Sequence, residues 1–181
     1  MWPDDAGSVV LSVARAAIAE RFGLASAPLP APQWLEQRGA SFVTLHSAGR
    51  LRGCIGTIEP YRTIADDVRG NAHNAAFRDP RFQPVSPEEY AGLELEVSLL
   101  SPPEPMHCAD EEDLVNQLRP GSDGVLLETG RSRGTFLPQV WEQLRDPRDF
   151  VAHLKLKAGV DRRAWDPTWQ VSRYSVTAWS E

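Results

Sequence analysis

From Ala40 to Gly56 the chain reads ASFVTLHSAGRLRGCIG, with β-branched and aromatic residues on both sides of a small turn that contains glycine. Such a segment forms an antiparallel hairpin, because these side chains suit a pleated surface and glycine relieves the turn. A three-residue loop of Ser47, Ala48 and Gly49, with Gly49 left-handed, sets Leu45 opposite Leu51, Val43 opposite Gly53 and Ser41 opposite Ile55. That gives one largely apolar face. Phe42, Thr44 and His46 then oppose Cys54, Arg52 and Arg50, which places Arg52 and Cys54 together on a more polar face. A two-residue loop would mix arginine with leucine, so the longer loop is the expected one.

The remaining segments alternate between helical and extended patterns. Residues 4 to 22 read as a helix, with Val10, Ala14, Ile18 and Phe22 at i+4 spacing and Gly23 as the stop. LASAPLPAPQ, from Leu24 to Gln33, holds three prolines and serves as a surface connection. TIADDVRGNAHNAAF is a second helix, capped by Thr63 and stopped at Asp79-Pro80. After a helical turn at Ser86-Pro87-Glu88-Glu89, LELEVSLL alternates leucine and valine with glutamate and serine, as a half-buried strand does. SPPEPMHC reads as extended, DEEDLVNQL as a short helix, and GVLLE and GTFLPQV as strands across the GRSRG turn. A helix from Asp146-Pro147 to about Ala158 turns Phe150, Val151, Leu154 and Ala158 inward, and WQVSRYSVTAW closes the chain as one strand. Without strict βαβ repetition, the expected class is α+β, a mostly antiparallel sheet flanked by helices.

A length of 181 residues, 41% hydrophobic content and six tryptophans fit one domain with a real core. The expected division is an N-terminal helix and proline-rich connection over residues 1–39, followed by residues 40–181. The start MWPDDAG is acidic, and no run of about 18 apolar residues occurs, so a cytoplasmic protein with no membrane segment is expected. Two cysteines, Cys54 and Cys108, are too few for a disulfide scaffold. A net charge of −6 opposes wholesale binding to nucleic acid.

LRGCIG, NAHNAAFRDPRFQPVSPEEY, LEVSLLSPPEP, DGVLLETG, TFLPQVW and LKLKAGV, in this order, resemble the AMMECR family, whose prokaryotic members are also called AmmeMemoRadiSam system protein A. The resemblance runs from about Ala40 to the C-terminus. It implies a single AMMECR-like domain of a larger and a smaller subdomain around a groove, with LRGCIG beside it. It implies no settled reaction. The family name also implies an association with a Memo-like protein, related to non-haem-iron dioxygenases, and with a radical S-adenosylmethionine protein. No cofactor is expected within the chain, which has neither a three-cysteine cluster for an iron–sulfur centre nor a glycine-rich phosphate loop.

Two function classes lead, and a third, a nucleic-acid-binding module with Phe42 and the arginines as a stacking platform, is opposed by the acidic balance. Of the leading two, one is an accessory or binding component that acts with the Memo-like and radical S-adenosylmethionine partners. The other is a Cys54-dependent enzyme or thiol carrier acting on a small anionic substrate, in which Arg52 favours thiolate over thiol and Gly53 and Gly56 admit a substrate to the backbone. The structural counter-reading makes Cys54 a small buried hydrophobe and the glycines packing devices. In the loop Arg78-Asp79-Pro80-Arg81-Phe82 either the two arginines clamp an anionic ligand in the groove, or Asp79 caps the loop, Arg81 pairs with an acidic neighbour and Phe82 plugs the core. Arg52 faces the same choice. Gln139, after a proline that marks a strand edge or bulge, and Lys157, at a helix end that suits a cation, complete the groove candidates. His107 beside Cys108 suggests a metal only weakly, since neighbours on an extended segment point apart, and no metal ligand is assigned.

Overall fold

The computed structural model describes residues 2–24, 29 and 31–181. The proline-rich connection predicted over Leu24–Gln33 lies partly outside these described residues. The chain divides into two compact units, residues 1–100 with 177–181, and residues 101–176.

In the first unit, α1 (Ala6–Arg21) and α2 (Ile64–Phe77) lie on one face of a sheet built from β1 (Arg38–Ser47), β2 (Arg50–Gly56), β3 (Arg62–Thr63), β4 (Leu93–Leu100) and β9 (Val176–Ser180). The strand order is β2-β1-β4-β9, with β3 also on β1. Thr63 caps α2 through its hydroxyl on the Asp66 amide, and the short helix α3 (Pro87–Tyr90) opens with a Ser86–Glu89 capping box, both as the sequence predicts. Val43 and Leu45 of β1 and Leu95, Val97 and Leu99 of β4 bury fully against Val10, Ile18, Val68 and Ala72 of the helices. One polar network is sealed within this unit. Asp67 and Asn71 join the Ser41 hydroxyl, and the Arg62 guanidinium closes on both side chains.

The hairpin register differs from the expected one. The turn is the two-residue Ala48-Gly49, both with positive φ, and Ser47 pairs with Arg50 and His46 with Leu51. A bulge then leaves Arg52 without a partner, and the ladder resumes with Leu45 opposite Gly53, Thr44 opposite Cys54 and Phe42 opposite Gly56. Ala48 thus adopts a conformation that its side chain disfavours, and the bulge removes the mixing of arginine with leucine that counted against the short loop. Cys54 therefore sits across from Thr44.

The second unit holds a four-stranded antiparallel sheet, ordered β5-β8-β6-β7, of β5 (Glu104–Met106), β6 (Gly124–Glu128), β7 (Arg133–Phe136) and β8 (Gln170–Tyr174). Helices α4 (Glu111–Gln117) and α5 (Pro147–Lys157) complete it, with Phe150 at the centre of its core, stacked on Trp141 at 3.8 Å between ring centroids. Two predicted strands are shorter than expected. GTFLPQV leaves the sheet at Phe136, because Pro138 opens a 3₁₀ turn over Pro138–Glu142. WQVSRYSVTAW breaks at Ser175, whose backbone bonds to Ser101, so that β8 and β9 belong to different sheets.

Lys155 is fully buried on the inward face of α5. Its ammonium donates to Glu111 at 2.8 Å and to the Ala164 carbonyl at 3.0 Å. Glu111 remains a third exposed and can rehydrate, so Lys155→Met, which keeps the length of the side chain, is expected to cost only about 1 kcal/mol in urea unfolding.

Candidate functional site

LRGCIG forms the edge strand β2, and its glycines are explained by what lies over them. A Cβ on Gly53 would run into the carbonyl oxygen of Ala75, so this residue lets α2 approach the strand. A Cβ on Gly56 would meet the ring of Phe42, its cross-strand partner. Both glycines are accounted for by packing alone.

At Cys54 the amide and carbonyl point outward from the sheet edge. The amide donates to Asp79 Oδ2 at 2.9 Å, and the carbonyl accepts from Arg81 Nη2 at 3.2 Å. The Arg78–Phe82 loop thus caps the edge where another strand would add. Across from it, Thr44 and Cys54 form a pair without mutual backbone bonds, the geometry that brings side chains closest, and the Thr44 hydroxyl donates to the thiol at 3.2 Å. In the next strand Glu96 pairs with Thr44, so Cys54, Thr44 and Glu96 occupy one row across β2, β1 and β4.

Asp79 is buried and receives Arg81 in a two-pronged pair at 2.6 and 2.9 Å. The Arg81 guanidinium, aided by the Cys54 and Arg81 amides against the opposing cost of burial, holds its carboxyl far below the usual carboxylate range. Arg81 is in turn kept protonated, chiefly by Asp79, with the Cys54 sulfur adding a smaller electrostatic contribution.

Arg52 does not turn to the thiol. Its Nε and Nη2 hold Glu89 at 3.0 and 3.1 Å, and that pairing, with the Ser86 amide, lowers the Glu89 pKa. The third nitrogen, Nη1, is buried without a hydrogen-bond partner. Phe82 lies within cation–π range of both arginines, 6.0 Å from Arg52 and 5.4 Å from Arg81. Arg52 is therefore the tie between β2 and α3, and Arg81 is the cation whose charge reaches Cys54.

The other candidates belong to the second unit. Gln139 is exposed on the 3₁₀ turn. Lys157 is exposed in the last turn of α5, its ammonium 5.0 Å from the Phe136 ring centroid. His73 packs against Phe77, and no histidine among the described residues hydrogen-bonds the Cys54 thiol. Among the described residues, no group of three or more His, Cys, Asp or Glu side chains is placed to hold a metal, and no helix is long and apolar enough to cross a membrane.

Sequence reasoning missed Thr44 as the thiol's partner because the bulge was not foreseen. It also missed Glu89 as the partner of Arg52. The capping box locates Glu89 at the start of a helix, but nothing local shows that its carboxylate also reaches a strand.

Two antiparallel sheets flanked by helices, with an edge cysteine locked by the loop that follows α2, define the class of protein. Residues 11–179 match the family model described as AMMECR1, and the chain belongs to that family. A protein from Methanothermobacter thermautotrophicus is 38% identical over 98% of this chain and 95% of its own length. One from Thermofilum pendens is 35% identical over 88% of this chain and 81% of its own length. The crystal structure of protein PH0010 from Pyrococcus horikoshii is similar with a TM-score of 0.79 and 32% identity, over 99% of this chain and 93% of that one.

Proposed function

We propose that this chain is a binding component of a modification system, acting with Memo-like and radical S-adenosylmethionine proteins, and that the Cys54 edge is part of its recognition surface. One observation carries this reading. Arg52 of LRGCIG is engaged with Glu89 of α3, and Arg81 of the Arg78–Phe82 loop with Asp79 of the same loop, so the surface is preassembled. Preorganisation of that kind lowers the entropic cost of association. The purified chain, mixed with Memo-like and radical S-adenosylmethionine proteins of its own organism, is expected to co-elute with at least one of them, and Arg81→Glu to weaken that association at least tenfold. Independent elution of all three proteins would end this reading.

A second reading, a thiol enzyme or carrier for a small anionic substrate, draws on the half-buried Cys54, free of any disulfide, and the Arg81 guanidinium that donates to its carbonyl. In a Cys108→Ser background, Arg81→Ala is expected to slow alkylation of native Cys54 more than threefold, while Arg52→Ala changes it less than twofold. Labelling that begins only on unfolding would leave Cys54 a structural residue.

A further inference from the structure

A separate cavity of about 710 Å³ lies wholly within the second unit, between β5, the start of α4, and the loop that leads into β8. Its size is that of a small-molecule site. Two tryptophans form adjoining walls, Trp165 and Trp169, with ring centroids 6.2 Å apart and planes inclined at 60°. The thioether of Met106 and the thiol of Cys108 add soft, polarizable surface. Among the described residues that line it, Asp113 is the one carboxylate, and neither lysine nor arginine is present.

Asp113 carries the negative charge of this cavity, which His107 also lines. The Ala109 amide and the Gln117 side chain donate to Asp113 and lower its pKa, so it remains an anion at neutral pH. Burial, reinforced by Asp113, raises the pKa of Cys108, so the thiol adds no second charge. Lys155, bonded to the Ala164 carbonyl beside Trp165, is neutralised by Glu111 and does not line the cavity. The Trp165 indole N–H is buried without an acceptor.

Two indole rings inclined to one another, soft sulfur surface and a single carboxylate are complementary to a compact organic cation, because the ring quadrupole attracts positive charge and the apolar walls favour an alkylated one. We propose that this cavity binds an alkylated ammonium group, with Trp165 and Trp169 packed on its methyl groups and Asp113 as the counter-charge. The proposal does not depend on the reading of the Cys54 edge. The head group can come from a free quaternary amine or from a methylated lysine side chain, and the same chemistry would hold either.

The test is a titration of the full chain at pH 8 with choline, with phenyltrimethylammonium and with a peptide carrying trimethyl-lysine, followed by indole fluorescence. Its control is 3,3-dimethylbutan-1-ol, the uncharged carbon isostere of choline. Saturable binding is expected for a cation, at least tenfold tighter than for the isostere. Asp113→Asn is expected to remove at least tenfold of this affinity. Trp165→Phe discards no hydrogen bond and keeps an aromatic ring, yet is expected to weaken the cation about three- to tenfold, since indole is the stronger cation–π partner. Tighter binding of choline assigns the site to a free amine, and tighter binding of the peptide to a protein side chain; both support the proposal. Equal binding of the isostere, or no saturation with any cation by a variant or parent chain whose circular dichroism is native, overturns it.

Discussion

Gly53→Ala is expected to destabilise the first unit by about 3 kcal/mol or more, read as a fall in the urea midpoint or as failure to yield folded protein. The added methyl group is aimed at the Ala75 carbonyl oxygen, a backbone atom held by the hydrogen bonds of α2. Relief requires that helix and strand move apart. Val68 and Ala72 of the same helix and Val43 of the neighbouring strand are fully buried in the core this separation would open. Gly56→Ala supplies the contrast. Its methyl group meets the ring of Phe42, a half-buried side chain whose displacement leaves the helix backbone in place, so a cost of about 1 kcal/mol is expected. Two alanines three residues apart in one motif should thus differ severalfold. If both are tolerated equally, the glycines of LRGCIG are not there for packing, and close approach of a ligand to the backbone becomes the better account.

The sequence carried the element types well where a helix or strand is specified locally. Thr63 before an apolar i+4 series, the capping box at Ser86, and the strict alternation of LELEVSLL each encode their element within a few residues. The hairpin register depends instead on a contest between the positive φ of Ala48 and the burial of Leu45, which the chain resolves with a bulge at Arg52. Alternation alone cannot reveal this bulge, because the inserted residue shifts the alternation within β2 and yields beyond it the same odd-with-odd pairing that the longer loop would give. Lys155 illustrates a different limit. Its position four residues after Val151 put it on the inward face, but a lysine there is invisible to a hydrophobic pattern unless its anion, Glu111, is known to lie opposite. The candidate site was legible as residues and not as partners: Cys54, Asp79 and Arg81 do come together, while Arg52 is bound to Glu89.

Asp79→Ala is expected to cost about 2–3 kcal/mol, because it removes a buried acceptor from the Cys54 amide and from the Arg81 guanidinium at once. Its pH dependence separates this effect from a general loss of packing. Since the folded-state pKa of Asp79 lies below its unfolded value of about 3.9, the carboxylate contributes stability that is complete above the ordinary carboxylate range. That contribution starts to fade as the pH falls through about 4 and continues to fade below it. The gap between parent and variant should therefore be widest near neutrality and narrow steadily in acid, whereas a packing defect would persist at every pH. The same substitution uncovers the backbone of an edge strand, and an unpaired edge invites another strand to add. Faster alkylation of Cys54 in the variant, together with a concentration-dependent rise in light scattering, would show that the Asp79 loop guards that edge. An acid-independent gap with unchanged alkylation would mean instead that the loop stays in place without the Asp79 carboxylate, held by Arg81 on the Cys54 carbonyl and by the two guanidinium groups over Phe82.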